Sequence, residues 1–274
     1  MITNRLLIIF LITTNIHLAF CQVEDKFSIL QPLKFEKVKN SIYEKDSLVI
    51  LKEKIIFDKE VFRDSLAQDA LRTHNISVFY YTNKNSKNPY NLYQWTAPVI
   101  VHFDKSIPKY LKENLITFIK NFENIPNLTI SITKNIDDAN YLIKSSDEEF
   151  NLDSYKFKSE EEKEKFAFNN GSYKMTKGGF SRIKSCVLKI NTNHDKKTIQ
   201  EKSLKQLFFL SLGRFFPIRI FKDKTSLISP IYENSDTLSK HDLLILKIHY
   251  NYIFHESINS TEYNKILSTY LSDL

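Results

Sequence analysis

The sequence predicts an α+β domain built on a mixed, twisted sheet. Three observations carry this. An amphipathic helix over 107–123 stands among short β-branched runs, in the order strand, helix, strand, strand. A second helix, Thr198 to Gly213 (TIQEKSLKQLFFLSLG), is apolar around most of its girth and therefore belongs in a core. Two further helical stretches close the chain.

The chain has 274 residues, enough for one sizeable domain or two small ones. Residues 1–21 read as a secretory signal: Arg5 supplies the positive start, Leu6 to Ile12 the apolar region, and Ala19 and Cys21 the small residues before cleavage at Gln22. The apolar run is too short and interrupted for a membrane span. Cys21 also offers a site for lipid attachment, although the bulky Phe20 before it suits that signal poorly. The expected location is therefore the periplasm, the cell surface or the medium. Residues 22–94 form an N-terminal extension to a main domain over 95–274.

Within the extension, Ser47 to Phe57 holds two β-like runs. Asp58 can cap a helix to about Arg72, with Phe62, Leu66 and Ala70 on one face. Ile76 to Tyr81 reads as a strand. Pro98 to Phe103 (PVIVHF) is a buried strand in which His102 reads as a satisfied strand residue. The helix over 107–123 sets Leu111, Leu115, Phe118, Ile119 and Phe122 on one stripe, with Pro108 in its first turn. Leu128 to Ile132 and Ala139 to Ile143 are further strands. Residues 145–169 are acidic, then mixed in charge, and read as a solvated surface insert. Gly178 and Gly179 make a turn, and Ser185 to Ile190 (SCVLKI) leads into the apolar helix.

That helix has a capping-box spacing at Thr198 and Glu201. Gly213 suits the left-handed position past its end. After it, Ser239 and Asp242 form a cap opening a helix to about Phe254. Ser260 or Thr261 starts a last helix with Tyr263, Ile266, Leu267, Tyr270 and Leu271 on one stripe.

Formal charge is +7 and pI about 9.1, with Lys and Glu interspersed and no basic block, so nucleic acid is not the expected partner. Once the signal is cleaved, Cys186 alone remains and reads as a buried strand thiol. Gly-rich phosphate loops, Gly-x-Ser-x-Gly elbows and paired-Cys motifs are absent from the sequence. Four Asn-x-Ser/Thr sequons (Asn75, Asn127, Asn170, Asn259) are what an Asn-rich chain yields by chance. His241, His249 and His255 lie close in sequence, but eight positions separate the first two, which sets their side chains about 80° apart on a helix.

Taken together, three segments spanning roughly Trp95 to Ile253 resemble a bacterial family of unknown function whose fold is similar to the metzincin type of zinc peptidase. They are Trp95-x-x-Pro98 with the β run after it; SCVLKI (with Cys186) and the helix ending Leu212-Gly213; and Ser226-Leu227-Ile228, then Leu238-Ser239-Lys240-His241-Asp242. The resemblance implies a zincin-like scaffold with a central active-site helix. A zincin carries His-Glu-x-x-His there, two imidazoles for zinc and a glutamate as general base. With Leu212-Gly213 as the anchor, those three positions are Gln206, Leu207 and Leu210. No third ligand follows in Arg214 to Lys222, and no methionine stands near Ile228 or Ile231. No cofactor is therefore expected, zinc being lost, and no catalytic or metal-binding residue is assigned.

Three functions compete on these grounds. The first is an exported, catalytically inactive pseudo-metallopeptidase acting on a protein or peptide partner by binding, or serving structurally. The second is a secreted hydrolase with unrecognised catalytic groups around Glu233, Asp236, His241 and Asp242. The third is an envelope interaction or adhesion module using residues 22–94 and the charged insert.

Overall fold

Two short strands, β1 (Ser41–Glu44) and β2 (Ser47–Ile50), pair as an antiparallel hairpin in the first of two compact units, Met1–Glu53 and Lys54–Leu274. The computed structural model describes residues 41–44, 47–50, 63–79, 91–146, 171–193, 196–253 and 258–271. The signal segment, Cys21, Asn170, His255 and the insert from 147 onward lie outside the described residues.

The second unit opens with α1 (Ser65–Phe79), then β3 (Gln94–Trp95), β4 (Val99–Phe103) and α2 (Lys109–Ile119), which runs on as a 3-10 turn over Lys120–Phe122. β5 (Ile130–Thr133), β6 (Tyr141–Ser145), β7 (Gly171–Lys177) and β8 (Arg182–Ile190) complete the sheet. The helix α3 (Lys197–Gly213) follows, then α4 (Lys240–Lys247), which continues as a π-helix over Ile248–Tyr252, and α5 (Ser260–Leu271).

The strand order is β3-β8-β6-β4-β5, with β7 also on β8. All pairings along that path are parallel, and only β7 runs antiparallel. This overturns the expected α+β, zincin-like mixed sheet: the chain is α/β, a parallel sheet carrying a strand–helix–strand crossover, with one antiparallel strand beside it. The reason is physical. Apolar runs such as VIVHF and YLIK reveal strands but not their direction, because side chains alternate with the same period in both ladders. Direction lies in how the chain returns. Between β5 and β6 it crosses the end of β4, where the Asn140 side chain donates to Pro98 O (2.8 Å) and accepts from Ile100 N–H (2.7 Å).

The core forms between one sheet face and the helices. Val99, Val101, Tyr141, Ile143 and Leu188 project toward it and are fully buried. Leu111, Leu115 and Phe118 of α2 meet them at helical spacing, each such burial stabilising the fold by ~1.5–3 kcal/mol. Phe208 of α3 sits between Phe122 and Tyr141, at centroid distances of 6.0 and 5.3 Å. Among the described residues no helix is long and apolar enough to cross a membrane.

The first helix departs from the sequence reading. It covers Ser65–Phe79, so Ile76 to Phe79, expected as strand, is helical. Its buried face is Ala67, Ala70, Leu71, Thr73, His74, Ser77 and Phe79, mostly small or polar residues that hydrophobic periodicity registers poorly, while Leu66 is 36% exposed and Ile76 43%.

Candidate functional site

The helix α3 packs on β7, β8, β3 and α2, so it lies at the centre of the second unit. Its start is not the expected capping box: Lys196 is the N-cap, with no side-chain bond, and Thr198 lies inside the helix. Glu201 instead accepts from Asn234 Nδ2 at 3.1 Å.

Its end also differs. Gly213 is the last helical residue, and Arg214 takes the left-handed conformation (φ 52°, ψ 41°). Gly213 is required by space rather than by φ. A Cβ there would stand 2.3 Å from Phe215 Cζ and 2.8 Å from His249 Nε2.

The positions matched to a metal-binding motif hold other structure together. The Gln206 amide donates to Leu227 O (2.9 Å) and Ser229 O (2.8 Å), spending both N–H bonds on one loop. Leu207 leans on β7 so closely that a Cβ at Gly171 would come within 2.4 Å of its Cδ1. Leu210 is buried, and its carbonyl accepts from Phe215 N at 2.8 Å. An amide already committed and two aliphatic side chains do not form a donor set for zinc. Among the described residues no three His, Cys, Asp or Glu side chains are grouped to hold a metal ion.

The loop over 226–236 is gripped by side chains of two helices, α3 and α4. Lys205, fully buried, donates to Asn234 Oδ1 (3.0 Å), Ser235 O (2.9 Å) and Asp236 Oδ1 (2.7 Å), which uses its three donors. From α4, the Asp242 carboxylate accepts from Ser226 Oγ (2.6 Å) and Leu227 N–H (3.0 Å). Burial raises that carboxyl to about 6, against the downward pull of these bonds. Ser239 caps α4 as the sequence indicated, accepting from Asp242 N–H at 3.0 Å.

Trp95, Tyr141, Cys186 and Ser211 form a second buried group. Ser211 Oγ donates to Phe208 O (2.7 Å), so the Tyr141 hydroxyl donates to Ser211 (2.6 Å). Trp95 Nε1–H reaches Ser211 O at 3.4 Å. Burial pushes the Cys186 thiol up to about 12, so at neutral pH it is an inert thiol.

The residues proposed for a hydrolase are dispersed. Glu233 pairs with Lys224 at the surface (2.7 Å), Asp236 with Lys205, and Asp242 with Ser226. His241 stacks on Phe221 (4.9 Å), with Nε2 3.3 Å from Asp69 Oδ2, but neither ring nitrogen makes a hydrogen bond. Desolvation lowers its pKa more than Asp69 and Asp223 raise it, so the ring is neutral near pH 7.

His249 does enter a constellation, though not with His241. His249 Nδ1 lies 2.9 Å from His74 Nε2, and His74 Nδ1 lies 2.7 Å from the Tyr263 hydroxyl. His249 Nε2 meets Tyr93 O at 3.0 Å. These four residues come from α1, the segment before β3, the π-helix and α5. No spacing in the sequence joins them.

No protein-family model matches the chain, and no curated protein matches it.

Proposed function

We propose that this chain is an exported protein that works by binding a protein or peptide partner, or as a structural element, and not by catalysis. One observation supports the reading above the rest. Gln206, the one polar residue among the three matched positions, has both amide donors closed on Leu227 O and Ser229 O. Leu207 and Leu210 are packed against β7 and the core. Each position thus has a structural task that explains its side chain. Export rests on the pattern of residues 1–21.

The test is metal content by mass spectrometry on tag-free secreted protein, before and after zinc reconstitution, with cleavage of a random peptide library measured alongside. Substoichiometric zinc and no cleavage are expected. One tightly held zinc per chain, or zinc-dependent cleavage, would sink the proposal. The intact mass of the secreted chain settles export separately: an N-terminus at Gln22 is expected, whereas a diacylated Cys21 would mean a lipid anchor.

A further inference from the structure

The His74–His249–Tyr263 group has a fixed polarity. Tyr93 contributes a carbonyl, which only accepts, so His249 Nε2 carries the proton. A neutral His249 then accepts at Nδ1, and His74 Nε2–H is the donor across 2.9 Å. His74 Nδ1 in turn accepts from the Tyr263 hydroxyl. One unbranched relay therefore runs from α5 through α1 to the π-helix and ends on the Tyr93 carbonyl.

All three side chains are fully buried. Phe215 lies edge-on to both imidazoles, at 4.8 Å from His249 and 5.9 Å from His74, and Phe79 closes on Tyr263 at 5.5 Å. The titratable groups facing the relay are Tyr263 on α5, Tyr250 on the π-helix and Tyr93. Around the Tyr93 ring stand two cations, Lys177 Nζ (4.2 Å) and Arg214 Cζ (4.8 Å). On the α1–α4 side the charged neighbour of His241 is Asp69. Among the described residues no carboxylate acts on His74 or His249: burial lowers both, His249 lowers His74 further, and the Tyr93 carbonyl raises His249 by less than burial lowers it.

Protons have little room here. A first proton on His74 Nδ1 makes that ring donate to Tyr263 as well as to His249, and one on His249 reverses the bond between the rings; in both cases the hydroxyl must turn to Leu71 O at 3.4 Å. That leaves a buried cation with no counter-charge. A second proton sets N–H against N–H across the 2.9 Å gap.

We propose that this relay is an acid-released latch. It docks α5 on α1 while both imidazoles are neutral, and α5 detaches when the pair takes up protons. The reading is independent of whether the chain is catalytic.

The expected size follows from linkage. If both rings are neutral when docked and titrate near 6.5 when released, each multiplies the opening equilibrium about ten-fold between pH 7.5 and 5.5, and the pair about 100-fold. Hydrogen exchange of the full chain reads this directly, with times scaled for the intrinsic pH dependence. The peptide over 260–271 reports the latch, and that over 109–119, in α2, is the reference. Protection of 260–271 is expected to fall about 100-fold while the reference holds. In His74→Gln and His249→Gln the fall shrinks to about ten-fold. A wild-type change under three-fold, an equal loss in both peptides, or an unaltered response in both variants would overturn the latch. If neither variant folds, the wild-type pH slope decides: about two protons per opening near pH 5.5 supports it, and one or fewer refutes it.

Discussion

Replacing Gln206 with leucine removes both donors while keeping nearly the same volume. Leu227 O is left with no hydrogen-bond donor, in a residue only 1% exposed, at a cost of ~1–3 kcal/mol. Ser229 O keeps Tyr232 N–H at 3.2 Å, so its loss is smaller, ~0.5–1.5 kcal/mol. The apolar isopropyl group that takes the place of the amide recovers up to ~1 kcal/mol at this half-buried site. The net is a destabilisation of roughly 0.5–4.5 kcal/mol, or a fall in Tm of roughly 1–18 °C for a unit of this size. Trp95 is the single tryptophan and is fully buried in the second unit, so its fluorescence follows that unit's unfolding. Gln206→Glu is expected to be worse, because it aims a carboxylate at two carbonyls. An unchanged or raised Tm in Gln206→Leu would refute the bridge as the reason a glutamine stands there.

Acid should destabilise the second unit. Burial holds His249 down to about 3 and His74 well below its ordinary value, so both stay neutral when folded while the unfolded chain binds protons below 6.5. Their stabilisation is full above that pH and is lost as pH falls, by about 3 kcal/mol for His249 at pH 4.5. Asp242 works the other way: raised to about 6, it gains about 2 kcal/mol over the same range, so the pair prevails and the urea midpoint by Trp95 fluorescence should drop. A midpoint that rises from pH 7 to 4.5 would show the histidines are not buried neutral. Cys186 should resist iodoacetamide at pH 8 in the folded chain and react once urea unfolds it, as peptide mapping would reveal. Gly213→Ala should cost about 1–3 kcal/mol, since the added methyl overlaps Phe215 and His249; a near-neutral effect in the same assay would mean the π-helix yields easily.

What could be read in the sequence was whatever declares itself by period. The α2 stripe, the β4 run and the apolar girth of α3 stand close to where they were expected. The α1 helix was legible as far as about Arg72, but its run on to Phe79 was not, because beyond Leu71 its inward face is Thr73, His74 and Ser77 before Phe79. Strand direction was hidden for a different reason, since parallel and antiparallel ladders accept the same alternating residues. Gly213 shows a third kind of loss. A glycine at a helix end suggests a left-handed turn, yet here Arg214 takes that turn and the glycine admits the Phe215 ring. Of the site, the Ser239 cap was readable because its partner is three residues away. The bonds Gln206 makes to Leu227 and Ser229, and His74 to His249, were not, because only the folded chain brings them together.

The polar residues of α3 share one mode of use. Gln200 donates to Thr192 O and receives the Tyr110 hydroxyl, Lys205 and Gln206 hold the loop over 226–236, and Ser211 links Tyr141 to the helix backbone. In this apolar segment each is spent on fixing a neighbouring piece of chain. A hydrolytic helix needs the reverse, with polar groups aimed at a space a substrate can enter and left uncommitted until it arrives. Leu227 makes the contrast concrete. Its N–H goes to Asp242 and its C=O to Gln206, so the backbone of one residue joins α3 to α4. A helix that serves as the peg for its own loops can keep a strong apolar core and a motif-like spacing with no reaction to perform. If the chain works by binding, as proposed, the binding surface is to be sought away from α3.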